Sequence, residues 1–416
     1  MEIHVGIDFG TSFTKAYMYN LDLDEPALID LRSESQSGSP YLPSLLWIDS
    51  NDMISIEQPA SGCPRKIEYF KMALANQLIG SDIYPTCNIK NKPYFLYCAF
   101  YLAKIMSIIE IFIKRKYSAY LRKENIDISG SVGIPVAHFD SPIKDVYEKI
   151  IAASSFMKNL IGDREPISRI DEFYSESLTH SKDERFTAIP ELYAEAAGII
   201  SDRHTPTGVY TIFDIGGGTV DGASFYLEKR NGNSYVNFLT AKVEPLGLEI
   251  VANRIVQAGI EKTMPDARTL LYKSETISNQ SIDSLKNSLH QLTAKVIVPV
   301  KKKNPDAFHL ADSIPISICG GGRLSQWHKA VILDTYTNFK HKNCNIPPYK
   351  LFDLNPYYGN IPAPLLHRYT IAIGLSIPPG YGPEIIGFPS QNPEFHQTNK
   401  DANLDYDEIQ REIYGD

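Results

Sequence analysis

Cysteine is sparse in this chain: Cys63, Cys87, Cys98, Cys319 and Cys344 are the only five, and no two of them make a Cys-x-x-Cys pair. That scarcity excludes a dense disulfide framework and points to a reducing compartment. The ten histidines show no His-Glu-x-x-His and no paired ligand spacing, so a zinc site has no support. A Walker loop of the form Gly-x-x-x-x-Gly-Lys-Ser/Thr is missing. The dinucleotide fingerprint Gly-x-Gly-x-x-Gly is missing too, because after Gly216 and Gly218 the third glycine position is Asp221. There is no excess of positive charge. A formal net charge of -8 opposes general attraction to polyanions, so neither nucleic acid nor a membrane is an expected partner. The basic run Lys301-Lys302-Lys303, close to Pro305, reads as a solvated loop. A strand that begins at Ile3 leaves no signal peptide ahead of it, which makes the cytoplasm the expected location. Tyr94 to Ile113 is apolar enough for a bilayer, yet it contains Lys104 and Glu110. Each charge at a bilayer centre costs about 2.5–3.5 kcal/mol, so the stretch reads as a buried helix of a soluble core.

What is present is a glycine-rich turn between two strands. Val209 to Phe213 and Ala223 to Leu227 are β-branched and aromatic, and Asp214-Ile215-Gly216-Gly217-Gly218-Thr219-Val220-Asp221 joins them as a hairpin tip. Consecutive glycines let backbone N–H groups converge on an anion, while Asp214 and Asp221 place carboxylates at the shoulders. Acids beside phosphate repel it unless a cation intervenes, so the combination points to a Mg²⁺-nucleotide. The device recurs at the N-terminus: Ile3 to Ile7 is a strand, Asp8-Phe9-Gly10-Thr11-Ser12 a turn, and Phe13 to Tyr19 a returning strand. An ordinary glycine hairpin explains one copy; two copies favour a triphosphate held by both, with Asp8 and Asp214 on the metal.

The rest alternates helix and strand, the mark of an α/β protein, and 416 residues allow two cores. The spacing predicts a strand at Leu45 to Ile48 and a helix over Lys66 to Leu78 with Gly80 as C-cap and Lys71 beside its apolar stripe. A strand at Ile126 to Pro135 should precede a helix from Pro142 to about Leu160, N-capped by Ser141. Ile161 to Arg185 reads as irregular, and a helix should run from Glu191 to about Ile200. Met264 to Lys295 reads as a helical insertion. Ile314 to Cys319 is a strand ending in Gly320-Gly321-Gly322-Arg323, and Leu324 to Leu333 a helix.

Taken in order, these motifs resemble the actin, hexokinase and heat-shock chaperone superfamily of ATPases. Asp8 to Ser12 looks like its first phosphate motif, Asp214 to Asp221 its second, and Cys319 to Arg323 its adenosine motif. The DnaK-type chaperone ATPase domain is the nearest resemblance, through Leu42-Pro43-Ser44, Val132 to Asp140, Leu246-Gly247-Leu248-Glu249 and Asn253-Arg254, over roughly residues 3 to 376. The resemblance implies two lobes, each a ribonuclease-H-like βββαβα core. Lobe I would cover 1–207 with an insertion at about 36–120, and lobe II 208–361 with an insertion at about 251–307. Residues 362–380 would return to lobe I, and 381–416 would form an acidic tail.

It also implies ATP or ADP and Mg²⁺ as cofactors, with Asp8 and Asp214 holding the metal through water and Asp221 near that metal or a monovalent cation. Gly10, Thr11, Ser12, Gly216, Gly217, Gly218, Thr219 and Gly247 would contact phosphates, and Gly320, Gly321, Gly322 and Arg323 the adenosine. Lys71 and Glu191 would be catalytic. The family's lysine stands four residues before the glycine of a Leu-Ile-Gly segment, whereas Lys71 precedes Gly80 by nine, so an insertion intervenes or Lys71 is not the equivalent. Glu195 competes with Glu191 for the family's glutamate. The chaperones' peptide-binding domain has no counterpart here. The expected function is a slow Mg²⁺-dependent ATPase switching an unidentified partner protein in trans. An ATP-driven, self-assembling actin-like filament is the alternative, and a small-molecule kinase is third.

Overall fold

A computed structural model of the chain describes residues 1–32, 38–60, 62–79, 92–120, 125–135, 142–180, 185–200, 205–309, 311–342, 344–352 and 361–387. Gly80, Cys87, the segment 136–140, Ser141 and residues 388–416 lie outside that set. The chain divides into two compact units. Unit 1 comprises Met1–Ile199 and Pro356–Tyr381, and unit 2 comprises Ile200–Asn355 and Gly382–Asp416.

In chain order the first half contains β1 (Glu2–Phe9), β2 (Phe13–Asn20), β3 (Glu25–Ile29), β4 (Leu42–Pro43), β5 (Leu45–Ile48), β6 (Met53–Ser55) and β7 (Arg65–Glu68). Then come α1 (Phe70–Ile79), α2 (Tyr94–Lys116), β8 (Asp127–Ile134), α3 (Pro142–Met157), β9 (Glu165–Pro166), α4 (Ile170–His180), β10 (Phe186–Pro190) and α5 (Glu191–Ile200). The second half contains β11 (Gly208–Ile215), β12 (Val220–Arg230), β13 (Asn233–Glu244), α6 (Leu248–Gln257), α7 (Met264–Lys273), α8 (Gln280–Lys303) and α9 (Pro305–His309). It ends with β14 (Ile314–Cys319), α10 (Gln326–His341), β15 (Tyr349–Leu351), α11 (Leu366–Ser376) and β16 (Glu384–Gly387).

The main sheet of unit 1 has the order β10-β8-β1-β2-β3, with β4 also paired to β2. β1, β2 and β3 form an antiparallel meander, and β8 and β10 continue it in parallel. Unit 2 repeats that plan as β15-β14-β11-β12-β13, extended by β16. Its meander β11-β12-β13 is antiparallel, and β14 and β15 are parallel additions. Both sheets therefore use a parallel β–α–β crossover beside a hairpin meander, and the central strand of each ends at a glycine turn. The protein is α/β.

Ile3, Val5, Ile7 and Phe9 enter the unit 1 core with residues of α2 and α3, and the opposite face of β1 and β2 carries α11. The other core gathers β11, β14, α6, α8 and α10 around Phe213, Ile316, Val251, Leu289 and Trp327. Among the described residues α2 is the one helix long and apolar enough to cross a membrane, and 72% of its most apolar window is buried in the protein. Lys104 donates to the Gly162 carbonyl and pairs with Asp163, while Glu110 pairs with Lys114 and Lys158, so its charges are satisfied by protein.

Several elements differ from the sequence reading. The helix expected from Lys66 starts only at Phe70, because Arg65–Glu68 pairs with β5 as β7 and Tyr69 breaks the chain direction at φ 59°. Residues expected to be irregular hold α4, and a strand, β10, runs directly into α5. Lys301, Lys302 and Lys303 are the last turn of α8 rather than a loop; Lys303 donates to the Leu239 carbonyl and Lys301 to that of Cys344. Basic groups there complement the helix's negative end. Glu384–Gly387, read as part of a tail, pairs with β13.

Candidate functional site

In unit 1 the β1–β2 register sets Asp8 opposite Lys15 and Phe9 opposite Thr14, leaving Gly10, Thr11 and Ser12 as the turn. Asp8 and Lys15 are buried and their charged ends form an ion pair. Ser44, just after β4, ties the turn back: its hydroxyl donates to the Gly10 carbonyl at 2.6 Å and its N–H to the Ser12 carbonyl at 3.0 Å. In a trans peptide the N–H points opposite to the C=O of the same unit. With those two carbonyls engaged by Ser44, the N–H groups of Thr11 and Phe13 are turned the other way. The hydroxyls of Ser12 and of Tyr369 from α11 are shielded from solvent and have no hydrogen-bond partner among the described residues. Burial pushes the Tyr369 phenol well above its usual range, and Asp30, Tyr41 and Asp8 add to that.

Lys71 is the second residue of α1. Its ammonium donates to the Phe9 carbonyl, the last residue of β1, and to Glu191 Oε1 at 2.7 Å. It also lies 5.2 Å from the Phe9 ring centroid. Glu191 begins α5, where an acid is favoured by the helix's positive end. The structure thus brings Asp8, Lys71 and Glu191 to the end of β1. Glu195, one turn further along, is fully buried and is not the carboxylate that Lys71 meets.

Unit 2 builds its turn differently. The register places Asp214 opposite Asp221 and Ile215 opposite Val220. The N–H of Gly216 bonds the Thr219 carbonyl at 2.9 Å and closes the tip. The carbonyls of Gly216, Gly217 and Gly218 accept from the N–H groups of Leu248, Glu249 and Gly247 at 3.0, 2.8 and 3.1 Å. Three of the donors that a helix N-terminus leaves free are thereby spent on the back of the turn. By the same peptide geometry, the N–H groups of Gly217, Gly218 and Thr219 point away from α6 as a set, a concavity suited to an oxyanion. A Cβ on Gly247 would lie 2.6 Å from Gly217 O, Gly218 C and Thr219 N, so only glycine permits this contact.

The turn after β14 wraps the same strand end. Gly320 has φ +81°, and a Cβ there would fall 1.9 Å from Asp214 Oδ1. Gly322 donates to the Ile215 carbonyl at 2.8 Å. Arg323 is half-buried, Gly321 lies within the turn, and Leu324 is 52% exposed. The charge of Glu249 is bound bidentately by Arg268 of α7 at 2.8 and 2.7 Å.

No protein-family model matches the chain, and no curated protein matches it in sequence.

Each unit's residues fit an oxygen-rich ligand. Unit 1 offers outward amides, a shielded orphan hydroxyl at Ser12 and a lysine-neutralised aspartate. Unit 2 offers outward amides, two carboxylates in cross-strand register and a glycine cradle. Hard oxygen donors of this kind suit hydrated Mg²⁺. Sequence reasoning missed Lys15, Arg268 and His328, and quoted Ser44 only within Leu42-Pro43-Ser44, without its role on the turn. Lys15 had a signal: it follows Asp8 by the spacing at which Asp221 follows Asp214.

Proposed function

We propose that the chain is a cytoplasmic Mg²⁺-dependent ATP-binding and ATP-hydrolysing protein of the chaperone-ATPase type, with an actin-like fold, acting as a nucleotide-dependent switch on a partner protein. The observation that carries this reading is the repetition, on two sheets of the same strand order, of an Asp-terminated strand whose glycine turn has its carbonyls tied back and its amides turned outward. One such turn is a common device; its repetition with the same topology makes a phosphate-binding turn a property of each unit.

In this reading the outward amides of Thr11, Gly217, Gly218 and Thr219 and the Ser12 hydroxyl bind phosphate oxygens. Lys15 cancels the charge of Asp8 and removes the repulsion an anion would meet there. Asp214 and Asp221 would hold the hydrated cation. When bound, Mg²⁺ supplies neutralisation of the charge on the phosphate oxygens. Glu191, fixed by Lys71, accepts a hydrogen bond from the attacking water and orients it in line. The turn of Gly320, Gly321 and Gly322 offers backbone to the nucleoside.

The test is phosphate release from ATP by the purified chain with and without Mg²⁺, beside Asp214→Asn and Asp8→Asn. Slow, metal-dependent turnover that falls about a hundredfold in Asp214→Asn is expected. Unchanged turnover in both variants would overturn the assignment.

A further inference from the structure

The two glycine turns of unit 2 are joined by a buried imidazole that the proposed chemistry does not use. His328, in the first turn of α10, is 0% exposed. Its Nε2 lies 2.9 Å from the Leu246 carbonyl and its Nδ1 2.7 Å from Ser325 Oγ. A carbonyl can only accept, so Nε2 carries the hydrogen; the Ser325 hydroxyl, which also lies 3.3 Å from the Leu271 carbonyl, gives its hydrogen to the nearer Nδ1. Ser325 Oγ also accepts from the His328 N–H and so caps α10. Burial pulls the imidazole down to about 4, keeping it in this neutral, one-donor form.

Each end of the relay continues into a turn. Leu246 precedes Gly247, Leu248 and Glu249, whose N–H groups hold the carbonyls of Gly218, Gly216 and Gly217. Ser325 donates its N–H to Gly322 O at 2.8 Å, and Gly322 donates to Ile215 O. The hydrogen-bonded path therefore runs from the turn after β14, through Ser325 and His328, to the strap that turns the amides of Gly217, Gly218 and Thr219 outward. An aliphatic side chain of similar size would fill the space but leave the buried Leu246 carbonyl without a donor.

We infer that His328 is a positioning residue for the proposed nucleotide site: by holding the Leu246 carbonyl it fixes the outward amides of Gly217–Thr219 and couples them to the Gly320–Gly322 turn. This rests on the nucleotide reading above, and the test separates the two. His328→Leu removes the donor, and His328→Gln restores an N–H at similar reach. Affinity for Mg²⁺-ADP is measured by titration calorimetry, and amide hydrogen exchange is followed in the full chain without ligand. His328→Leu should weaken Mg²⁺-ADP binding about tenfold and speed exchange at Gly247, Leu248 and Glu249 by a similar factor, with His328→Gln recovering most of both. Exchange at Tyr210–Phe213 of β11 should stay unchanged, which a merely structural role would not predict.

Equal behaviour of the two variants, or faster exchange spread evenly over β11, overturns the inference. If the unaltered chain binds no Mg²⁺-ADP, the nucleotide reading fails, and with it His328's role toward a nucleotide; the exchange arm still decides whether His328 holds the strap. Should His328→Leu not fold, Ser325→Ala keeps the imidazole and removes its Nδ1 partner. About threefold weaker binding with local faster exchange is then expected, and no change in either overturns the inference.

Discussion

The two hairpins share strand order, turn length class and the tying back of their carbonyls, yet they are pinned and charged in opposite ways. In unit 1 one serine after a two-residue strand holds the turn, and the cross-strand partner of the aspartate is Lys15. In unit 2 a helix N-terminus holds the turn, and the partner is a second aspartate, Asp221. The first pair cancels; the second sets two aspartates opposite one another across the hairpin. Outward amides are thus the common requirement, and charge is the variable. In the proposed reading the need for a cation falls on unit 2, while unit 1 carries its own counter-charge.

The largest expected effect comes from breaking the unit 2 cradle. Gly320→Ala puts a side chain at φ +81° and drives it against Asp214, so stability should fall by about 3–4 kcal/mol in urea melts. Next, Asp8→Asn strands the buried Lys15 ammonium and should cost roughly 3 kcal/mol by the same measurement.

Third, each unit buries one histidine whose pKa is lowered to about 4, His4 in unit 1 and His328 in unit 2, both chiefly by desolvation. The unfolded chain takes up these protons first, so the contribution is full above the ordinary histidine value and is lost as pH falls toward 4. Each should cost about 2 kcal/mol by pH 5 relative to pH 7, visible as a falling urea midpoint that flattens in part in His4→Gln. Smallest is Asp221→Asn, which in the proposed reading should raise the Mg²⁺ concentration needed for turnover severalfold, read as phosphate release against added Mg²⁺. An unchanged Mg²⁺ requirement in Asp221→Asn, or a neutral Asp8→Asn, would erase the contrast between the units.

Much of the frame was legible because its signals are local. β1, β11 and β14 are apolar, β-branched or aromatic runs that end at glycine, β2 and β12 are the runs that return from two of those turns, and α3 and α5 start where helix-start residues predict. β13 was missed although its signals are local: Asn231-Gly232, both at positive φ, is a two-residue hairpin turn, and Asn233–Glu244 carries the polar–apolar alternation of a strand. β7 was read as helix because Ile67 falls in phase with Phe70, Leu74 and Leu78; only the left-handed Tyr69 separates the two elements, and nothing in a tyrosine announces that. Within the site, Asp8, Asp214 and the glycines stood out by composition. Ser44 and His328 act across 34 and 82 residues of chain, to Gly10 and Leu246, and carry no local mark.

The return of α11 to the face of β1 and β2 has a consequence for how this protein comes into being. The helix that covers the N-terminal hairpin is made only after all of β11 to β15, and β16 then adds the last strand to the other sheet. During synthesis at ~5–20 residues per second, the emerging N-terminal sheet waits roughly ten to thirty seconds beyond α5 for its cover. Its exposed face carries His4, Lys15, Tyr17 and Asp8 beside Gly6 rather than an unbroken aliphatic surface, a composition suited to standing wetted on the ribosome until α11 is made.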